Sequence, residues 1–164
     1  MPAIIRLQKN LIMNNLLKSK TRLAFIQIIF ENLSTENNIV EIFNSFDLNY
    51  KSSFIENFHN KKKIKFEFNS NFLKKLVYFY IDYTKSKKNL EIIDKFIDFN
   101  RNFEKWDLIN KSILLAALSE LHNTDRDKIK IIFNDYLNVG KSFINDKEIG
   151  IINAILYKII NDKK

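Results

Sequence analysis

The stretch that decides the fold is KWDLINKSILLAALSELHN, residues 105–123, in which the six residues from Ile113 to Leu118 are all apolar. A helix on the surface of a protein needs only one apolar stripe, whereas this stretch presents apolar side chains in nearly every direction. Ala116 and Ala117 are small enough to let neighbouring helices approach closely. The stretch therefore predicts a central helix that is surrounded by other helices.

The rest of the chain is also typical of an all-α protein. Its 164 residues include 2 glycines and 1 proline, too few for the frequent turns of an all-β fold. Apolar residues recur at helical spacing along most of the chain, which predicts about seven helices. The expected segments are 4–16, 23–33, 35–43, 70–80, 90–99, 108–121, 126–143 and 146–160. The expected caps are Thr35 for the third, Ser70 or Asn71 for the fourth, Asp125 for the seventh and Asn145 or Asp146 for the last.

One segment departs from the helical pattern. KKIKFEF, residues 62–68, alternates charged and apolar residues with the period of two that is typical of a strand. Because the pattern shows no partner strand, we expect an extended connector that holds its aromatic residues against the helices.

Length and composition predict one domain, residues 18–164, preceded by a helical extension over residues 1–17. The sequence contains no cysteine, which excludes disulfides, thiolate metal sites and a thiol nucleophile, and fits a cytoplasmic protein. We see no signal peptide and no apolar run near the ~18 residues needed to span a membrane, so no membrane partner is expected.

The sequence shows no constellation typical of an enzyme. His59 and His122 are far apart and lack a second metal ligand at helical spacing. Gly140 and Gly150 stand alone and do not form a phosphate-binding loop. We therefore predict no catalytic residues, no metal and no cofactor.

The formal net charge of +8 favours an anionic partner, most commonly nucleic acid. Three basic clusters are candidates: Lys18, Lys20 and Arg22; the run from Lys61 to Lys65 beside Phe58, Phe66 and Phe68; and Lys128, Lys130 and Lys141. Basic residues beside aromatic ones can bind single strands through phosphates and stacked bases. A solvated, lysine-rich surface is the competing interpretation, since lysine, isoleucine and asparagine are all abundant and share AT-rich codons.

Four segments together resemble the NusB family. They are RLAFIQIIFE (22–31), INKSILLAALSEL (109–121), KIIFNDYLNVGKSF (130–143) and IINAIL (151–156), in the order and spacing of the family's blocks. The matching residues are Arg22, Gln27, Phe30, Lys111, Ile113, Leu114, Ala117, Glu120, Leu121, Asn134, Asp135, Lys141, Phe143, Asn153 and Leu156.

The resemblance implies an all-helical fold of two helical bundles and a function in transcription antitermination. Members of the family pair with the ribosomal protein NusE, and the heterodimer binds the single-stranded boxA element of nascent ribosomal RNA at the transcription elongation complex. By position, the RNA-binding arm ahead of the family's first helix falls on Lys18, Lys20 and Arg22. The loop before the last helix falls on Lys147, Gly150 and Ile151. Lys130 is our further RNA candidate, and Phe30 and Glu120 fall on the partner-binding face.

Departures from the family pattern leave an alternative open. The arm has one arginine where the family has several, and lysine lacks the planar fork of arginine. Gly150 and Ile151 replace a lysine and a phenylalanine of the family. The alternative is therefore an interaction module that keeps the fold and partner face with reduced or lost RNA recognition. A third option, a domain that delivers an enzyme to ribosomal RNA, is disfavoured because we expect no methyltransferase after Lys164.

Overall fold

The computed structural model describes residues 3–51, 54–57, 62–65, 67–97 and 102–162. Within these ranges it contains seven α-helices, which agrees with the predicted number of about seven although two of the expected segments are joined, and one two-stranded antiparallel sheet. The helices are α1 (Ala3–Thr35), α2 (Ile39–Tyr50), α3 (Ser70–Lys85), α4 (Lys87–Lys95), α5 (Leu108–His122), α6 (Ile129–Gly140) and α7 (Asp146–Asp162). The strands are β1 (Phe54–Asn57) and β2 (Lys62–Lys65). Short 3₁₀ turns at Phe103–Lys105 and Arg126–Lys128 precede α5 and α6.

Helix α5 lies at the centre of the fold, which confirms the prediction from its sequence. Every residue from Ser112 to Leu121 is buried, including the polar residues Ser119 and Glu120. The helix packs against α1, α3, α6 and α7, so all of its sides are covered. The hydroxyl of Ser119 donates to the carbonyl oxygen of Leu115 at 2.6 Å, which satisfies this buried polar group within the helix.

The helices form two groups that share the pair α1 and α5. Helices α1, α2 and α3 pack on one another, while α6 and α7 pack on each other and on α5. Helix α4 connects the groups, because it contacts both α3 and α7. Gly140 at the end of α6 allows close packing, since a Cβ atom there would lie 2.9 Å from Cδ1 of Ile149 on α7 and that side chain would have to shift.

Helix α1 is continuous, so the predicted break around residues 18–20 is wrong. Lysine and serine are both tolerated inside a helix. The boundary between residues 17 and 18, proposed from the sequence, therefore falls inside one 33-residue helix.

Residues 62–65 of this segment form a strand with a partner strand and are not an isolated connector. Strand β2 pairs antiparallel with β1, in a register that sets Phe54 opposite Lys65 and Asn57 opposite Lys62. The period-two pattern correctly predicted a strand. Its partner was missed because β1 has only four residues, FIEN, too short to show alternation by itself. Lys61, Phe58 and Phe66 lie outside the described residues.

Three of the four expected helix caps differ from the prediction, among them Asp125, which precedes a 3₁₀ turn and makes no side-chain capping hydrogen bond. Asn38 and not Thr35 caps α2, and Asn69 rather than Ser70 or Asn71 caps α3. The prediction is correct for Asn145, whose Oδ1 accepts from the backbone N–H of Glu148 at 2.9 Å, while Oε2 of Glu148 accepts from the N–H of Asn145 at 3.2 Å.

Helix α6 and the end of α4 fall short of the expected segments, whereas α2 and α3 extend beyond them. Asp125 precedes a 3₁₀ turn, and α6 begins at Ile129 and ends at Gly140 instead of running from residue 126 to 143. Helix α4 begins at Lys87 and ends at Lys95, before the predicted end at residue 99.

Candidate RNA-facing and partner-facing residues

Arg22 and Glu120, which the sequence assigned to two different surfaces, form one buried ion pair. The Nε atom of Arg22 lies 2.9 Å from Oε2 of Glu120, and its Nη2 atom lies 2.8 Å from Oε1. This is the two-pronged geometry in which a guanidinium binds a carboxylate most strongly. Only 6% of Arg22 and 4% of Glu120 is exposed. The pair therefore joins α1 to the central helix α5 in the interior.

Two residues of α6 complete this network. The Nη1 atom of Arg22 donates to Oδ2 of Asp135 at 2.6 Å, and the hydroxyl of Tyr136 donates to Oε2 of Glu120 at 2.5 Å. The hydroxyl of Ser19, one turn before Arg22, donates to Oδ1 of Asp135 at 2.6 Å. These hydrogen bonds tie α1, α5 and α6 together, and we call the five residues the Arg22 network.

The Arg22 network shifts the pKa of two of its members. Burial by itself would lower the pKa of Arg22, but the hydrogen bonds and negative charge of Glu120 outweigh it and raise that pKa. Burial, reinforced by the charge of Glu120, raises the pKa of Tyr136 well above its ordinary value. Both side chains therefore keep their protons, so the ion pair and the Tyr136 hydrogen bond coexist.

This geometry corrects the expected exposure of Arg22 and Glu120. Arg22 lies on the inner side of α1 with its guanidinium engaged by two carboxylates, so it is not presented to a phosphate. Glu120 was expected on the partner-binding face, whereas it pairs with a cation from α1 of the same chain. The sequence could not show this, because the two residues are 98 positions apart.

Lys18 and Lys20 remain accessible, but they do not form a single patch. Lys18 is exposed and Lys20 is half-buried, and both lie on α1 rather than in a flexible arm ahead of a helix. Residues two apart on a helix point about 200° from each other. The two ammonium groups therefore leave α1 in nearly opposite directions.

The three candidates near the last helix come together. Lys147, Gly150 and Ile151 lie in the first turns of α7, and not in a loop before it as the resemblance implied. Lys147 and Gly150 are exposed and Ile151 is half-buried. All three line one shallow groove of about 240 Å³.

The two other candidates lie elsewhere on the surface. Lys130 is exposed in the first turn of α6 and lines a larger groove of about 740 Å³, with Arg126 and Phe133. Phe30 lies on α1 with 40% of its surface exposed. The predicted RNA-binding residues are thus divided among α1, α6 and α7.

In the described part of the chain, no three His, Cys, Asp or Glu residues are grouped so that they could hold a metal ion. None of the described helices is long and apolar enough to cross a membrane.

Comparison with known families shows which fold this helical arrangement represents. The model of the NusB family matches residues 19–161, most of the chain. The chain belongs to the NusB family.

Individual members of the NusB family also match, two of the three below over nearly their whole length. A transcription antitermination protein NusB from Rickettsia bellii is 29% identical over 154 residues, covering 90% of this chain and 92% of that protein. The NusB protein of Rickettsia typhi is 25% identical over 146 residues, covering 88% of this chain and 92% of that protein. The NusB protein of Natranaerobius thermophilus is 32% identical over 81 residues, which is 48% of this chain and 58% of that protein.

A solved structure shares the fold. A chain in a crystal structure of a plectonemic RNA supercoil superimposes with a TM-score of 0.69, covering 89% of this chain and 95% of that chain. Its sequence identity is 16%, so this likeness concerns the all-α NusB fold alone.

The NusB match spans every residue of the Arg22 network, which sequence reasoning recognised only in part. Arg22, Glu120 and Asp135 were noted as positions that fit the family pattern, but their mutual contact was not predicted. Ser19 and Tyr136 were not singled out. The sequence carried one signal of this contact: two acidic residues and one arginine lie inside largely apolar NusB segments. Because buried charges are usually paired, these residues indicated a buried ion pair.

Proposed function

We propose that this chain is a transcription antitermination factor that binds boxA-type single-stranded RNA as a heterodimer with NusE, at the transcription elongation complex. The family match over residues 19–161 carries this proposal. It is supported by two NusB antitermination proteins, because this chain matches 92% of the length of each.

The surface charge supports an anionic ligand. The chain carries a net charge of +8, and Lys18, Lys130 and Lys147 are exposed on three different helices. Each lysine that neutralises a phosphate releases counterions and makes binding dependent on salt. Because these lysines are spread over α1, α6 and α7, RNA would have to follow the protein surface rather than enter one pocket.

Phe30 is our candidate for the contact with NusE. A large aromatic ring that is 40% exposed on a rigid helix gives contact area with little loss of side-chain freedom. Glu120 is buried, so its expected effect on partner binding is indirect: it fixes the position of α1, which carries Phe30, against α5.

The alternative function is an interaction module with reduced or lost RNA recognition. It is favoured by the burial of Arg22, which removes one cation from the expected arm, and by the neutral residues Gly150 and Ile151. Under this alternative the chain still pairs with NusE, but the pair gains no affinity for boxA.

Titration of fluorescently labelled boxA-like RNA with the protein, with and without purified NusE, tests the proposal. We expect weak binding by the protein alone and tighter binding with NusE. By linkage, RNA must then tighten NusE binding by the same factor. A scrambled RNA of equal length is the control for non-specific attraction.

Two outcomes of this titration contradict the proposal. A heterodimer that binds boxA and scrambled RNA equally, or that binds no RNA, would support the interaction module. Absence of a complex with NusE would contradict both functions.

A further inference from the structure

The larger groove lies where the C-terminal end of α5 meets the start of α6 and the end of α7. Its volume of about 740 Å³ falls within the range of about 300–1,000 Å³ that is typical of small-molecule sites. Its walls are largely apolar and include Leu118, Leu121, Phe133 and Ile159. Tyr83, near the end of α3, also lines it. The groove shares no residue with the smaller groove at the start of α7.

The hydroxyl of Tyr83 makes no hydrogen bond to any described residue. Only 3% of Tyr83 is exposed, and its ring lies edge-to-face against His122, with ring centres 5.5 Å apart. Its hydrogen bond with Nδ2 of Asn89 uses the backbone carbonyl oxygen and leaves the hydroxyl unused. The hydroxyl is not sealed in the core, because Oδ1 of Asn110 is the only fully enclosed side-chain polar atom without a partner in the described part of the chain. Tyr83 therefore offers a buried hydrogen-bonding group to the groove.

Two cations stand at the rim of the groove. Arg126 and Lys130 both line it, are exposed, and lie four residues apart, about one helical turn. Neither forms an ion pair with a described residue, and none of the described residues that line the groove is acidic. Helix α6 begins beside them at Ile129 without a side-chain cap, so its first N–H groups add positive partial charge. The rim is therefore complementary to an anionic group.

The groove also contains amide groups and aromatic rings. Asn134 and Asn161 line it, and Nδ2 of Asn161 donates to the carbonyl oxygen of Tyr157 at 2.9 Å, which leaves Oδ1 as an acceptor. Phe133 and Tyr157 supply rings from α6 and α7. An acyl chain would leave the amides and the Tyr83 hydroxyl without partners, which is unfavourable. A nucleobase suits both kinds of group, because its faces stack on apolar and aromatic side chains while its edge carries donors and acceptors.

We propose that this groove binds a free purine nucleoside monophosphate, with the edge of its base at the Tyr83 hydroxyl and its phosphate at Arg126 and Lys130. The base lies between the apolar walls, and the phosphate stays at the rim beside the two cations. Because the groove is lined by residues of α3, α5, α6 and α7, the bound nucleotide holds these four helices together. This site is a further activity, since it requires neither RNA nor NusE.

Calorimetric titration of the full chain with AMP and with GMP tests the site. We expect one nucleotide per chain and a melting temperature that rises with nucleotide concentration, because the ligand binds only the folded state. Adenosine and guanosine lack the phosphate and should bind about tenfold more weakly or worse. Laurate, an anion with an acyl chain, should not displace the nucleotide.

Three substitutions test the assigned contacts. Tyr83→Phe removes one oxygen atom and should weaken nucleotide binding about fivefold or more. The unbound Tyr83→Phe protein should be as stable as the unsubstituted protein at neutral pH, because the hydroxyl has no protein partner to lose. Arg126→Ala and Lys130→Ala should each weaken binding about threefold to tenfold and make it less dependent on salt. Tyr78→Phe and Lys74→Ala, at exposed positions of α3 outside the groove, are the matched controls.

Asn134→Trp separates a filled groove from a damaged fold. Asn134 is exposed, so a larger side chain there occupies the groove without entering the core. Helicity and melting temperature should stay the same, while nucleotide affinity should fall about tenfold or more.

Three results overturn the inference. They are absence of AMP and GMP binding to the unsubstituted protein, unchanged binding by both Tyr83→Phe and Asn134→Trp, and displacement of the nucleotide by laurate. Each of them leaves the proposed function standing, because the titration with boxA-like RNA tests that function separately.

Discussion

Arg22 of α1 and Glu120 of α5 meet in the protein interior through two parallel hydrogen bonds of 2.9 and 2.8 Å. One end of this pair is fixed by Tyr136 and the other by Asp135, both on α6. Helices α1 and α6, which carry Phe30, Lys18 and Lys130, are therefore held to α5 by charges that are largely buried.

Glu120→Ala should destabilise the folded protein by about 3–5 kcal/mol, because it leaves the buried Arg22 guanidinium without its main counter-charge. Urea denaturation at neutral pH measures this change. Asp162→Ala is the control: the ion pair of Asp162 with Lys95 is 3.9 Å long and exposed, so its loss should cost less than about 1 kcal/mol. Equal stability of the two variants would contradict the structural role of Glu120.

Leu114→Asp should abolish or severely weaken folding, since Leu114 is fully buried in α5 and an unpaired buried charge costs several kcal/mol. Leu114→Ala, which only creates a cavity, should cost about 2–5 kcal/mol and remain measurable by thermal unfolding. Leu48, which is 84% exposed, provides the matched control when changed to Ala. A fully helical Leu114→Asp protein with an unchanged melting temperature would show that α5 is not central.

Lys18→Ala and Arg22→Ala should have different consequences. Loss of the exposed Lys18 should leave stability unchanged and lower the salt dependence of RNA binding by up to ~0.7. Loss of the buried Arg22 should first of all destabilise the protein, because Glu120 and Asp135 lose their shared donor. Parallel RNA titrations and urea curves separate the two effects. A stable Arg22→Ala protein whose RNA binding depends less on salt would instead identify Arg22 as an RNA-binding residue.

Stability should fall as the pH rises through the alkaline range. Burial raises the pKa of Tyr80 and of Tyr83 to about 12, from an ordinary value of about 10. Because the folded state holds these protons more tightly, their contribution is complete below about pH 10 and is lost between about pH 10 and 12. The size is on the order of 2 kcal/mol for each tyrosine.

Urea midpoints between pH 9 and 11.5 check this prediction. Tyr83→Phe should flatten the alkaline decline, whereas Tyr78→Phe controls for loss of an exposed hydroxyl. An unchanged decline in a Tyr80→Phe, Tyr83→Phe double variant would show that other groups cause it.

Local features of the fold could be predicted from the sequence because they depend on neighbouring residues. The apolar run from Ile113 to Leu118 required a surrounded helix, and the capping role of Asn145 followed from its place before α7. The order of the matching segments also indicated the NusB family, and the family match confirms it. The hairpin was less predictable, since a strand of four residues gives too little pattern.

The candidate site was predicted only as a set of positions, because accessibility depends on which other helices cover each turn of a helix. Lys18 and Arg22 are one turn apart and chemically alike, yet Lys18 is exposed and Arg22 is buried. Lys147, Gly150 and Ile151 were identified from the resemblance, but Phe96 was not, because it reaches their groove from a different helix.

The sequence by itself determined the helical class, the central position of α5 and the family, because hydrophobic periodicity and residue order are properties of the chain. Only the tertiary structure decided that Arg22 pairs with Glu120 across 98 residues and that Phe96 stands beside Gly150. A buried charge requires a counter-charge of suitable geometry, but any of several acidic residues could have supplied it. The packing of α1, α5 and α6 places Glu120 and Asp135 beside Arg22, and this packing is a property of the folded structure.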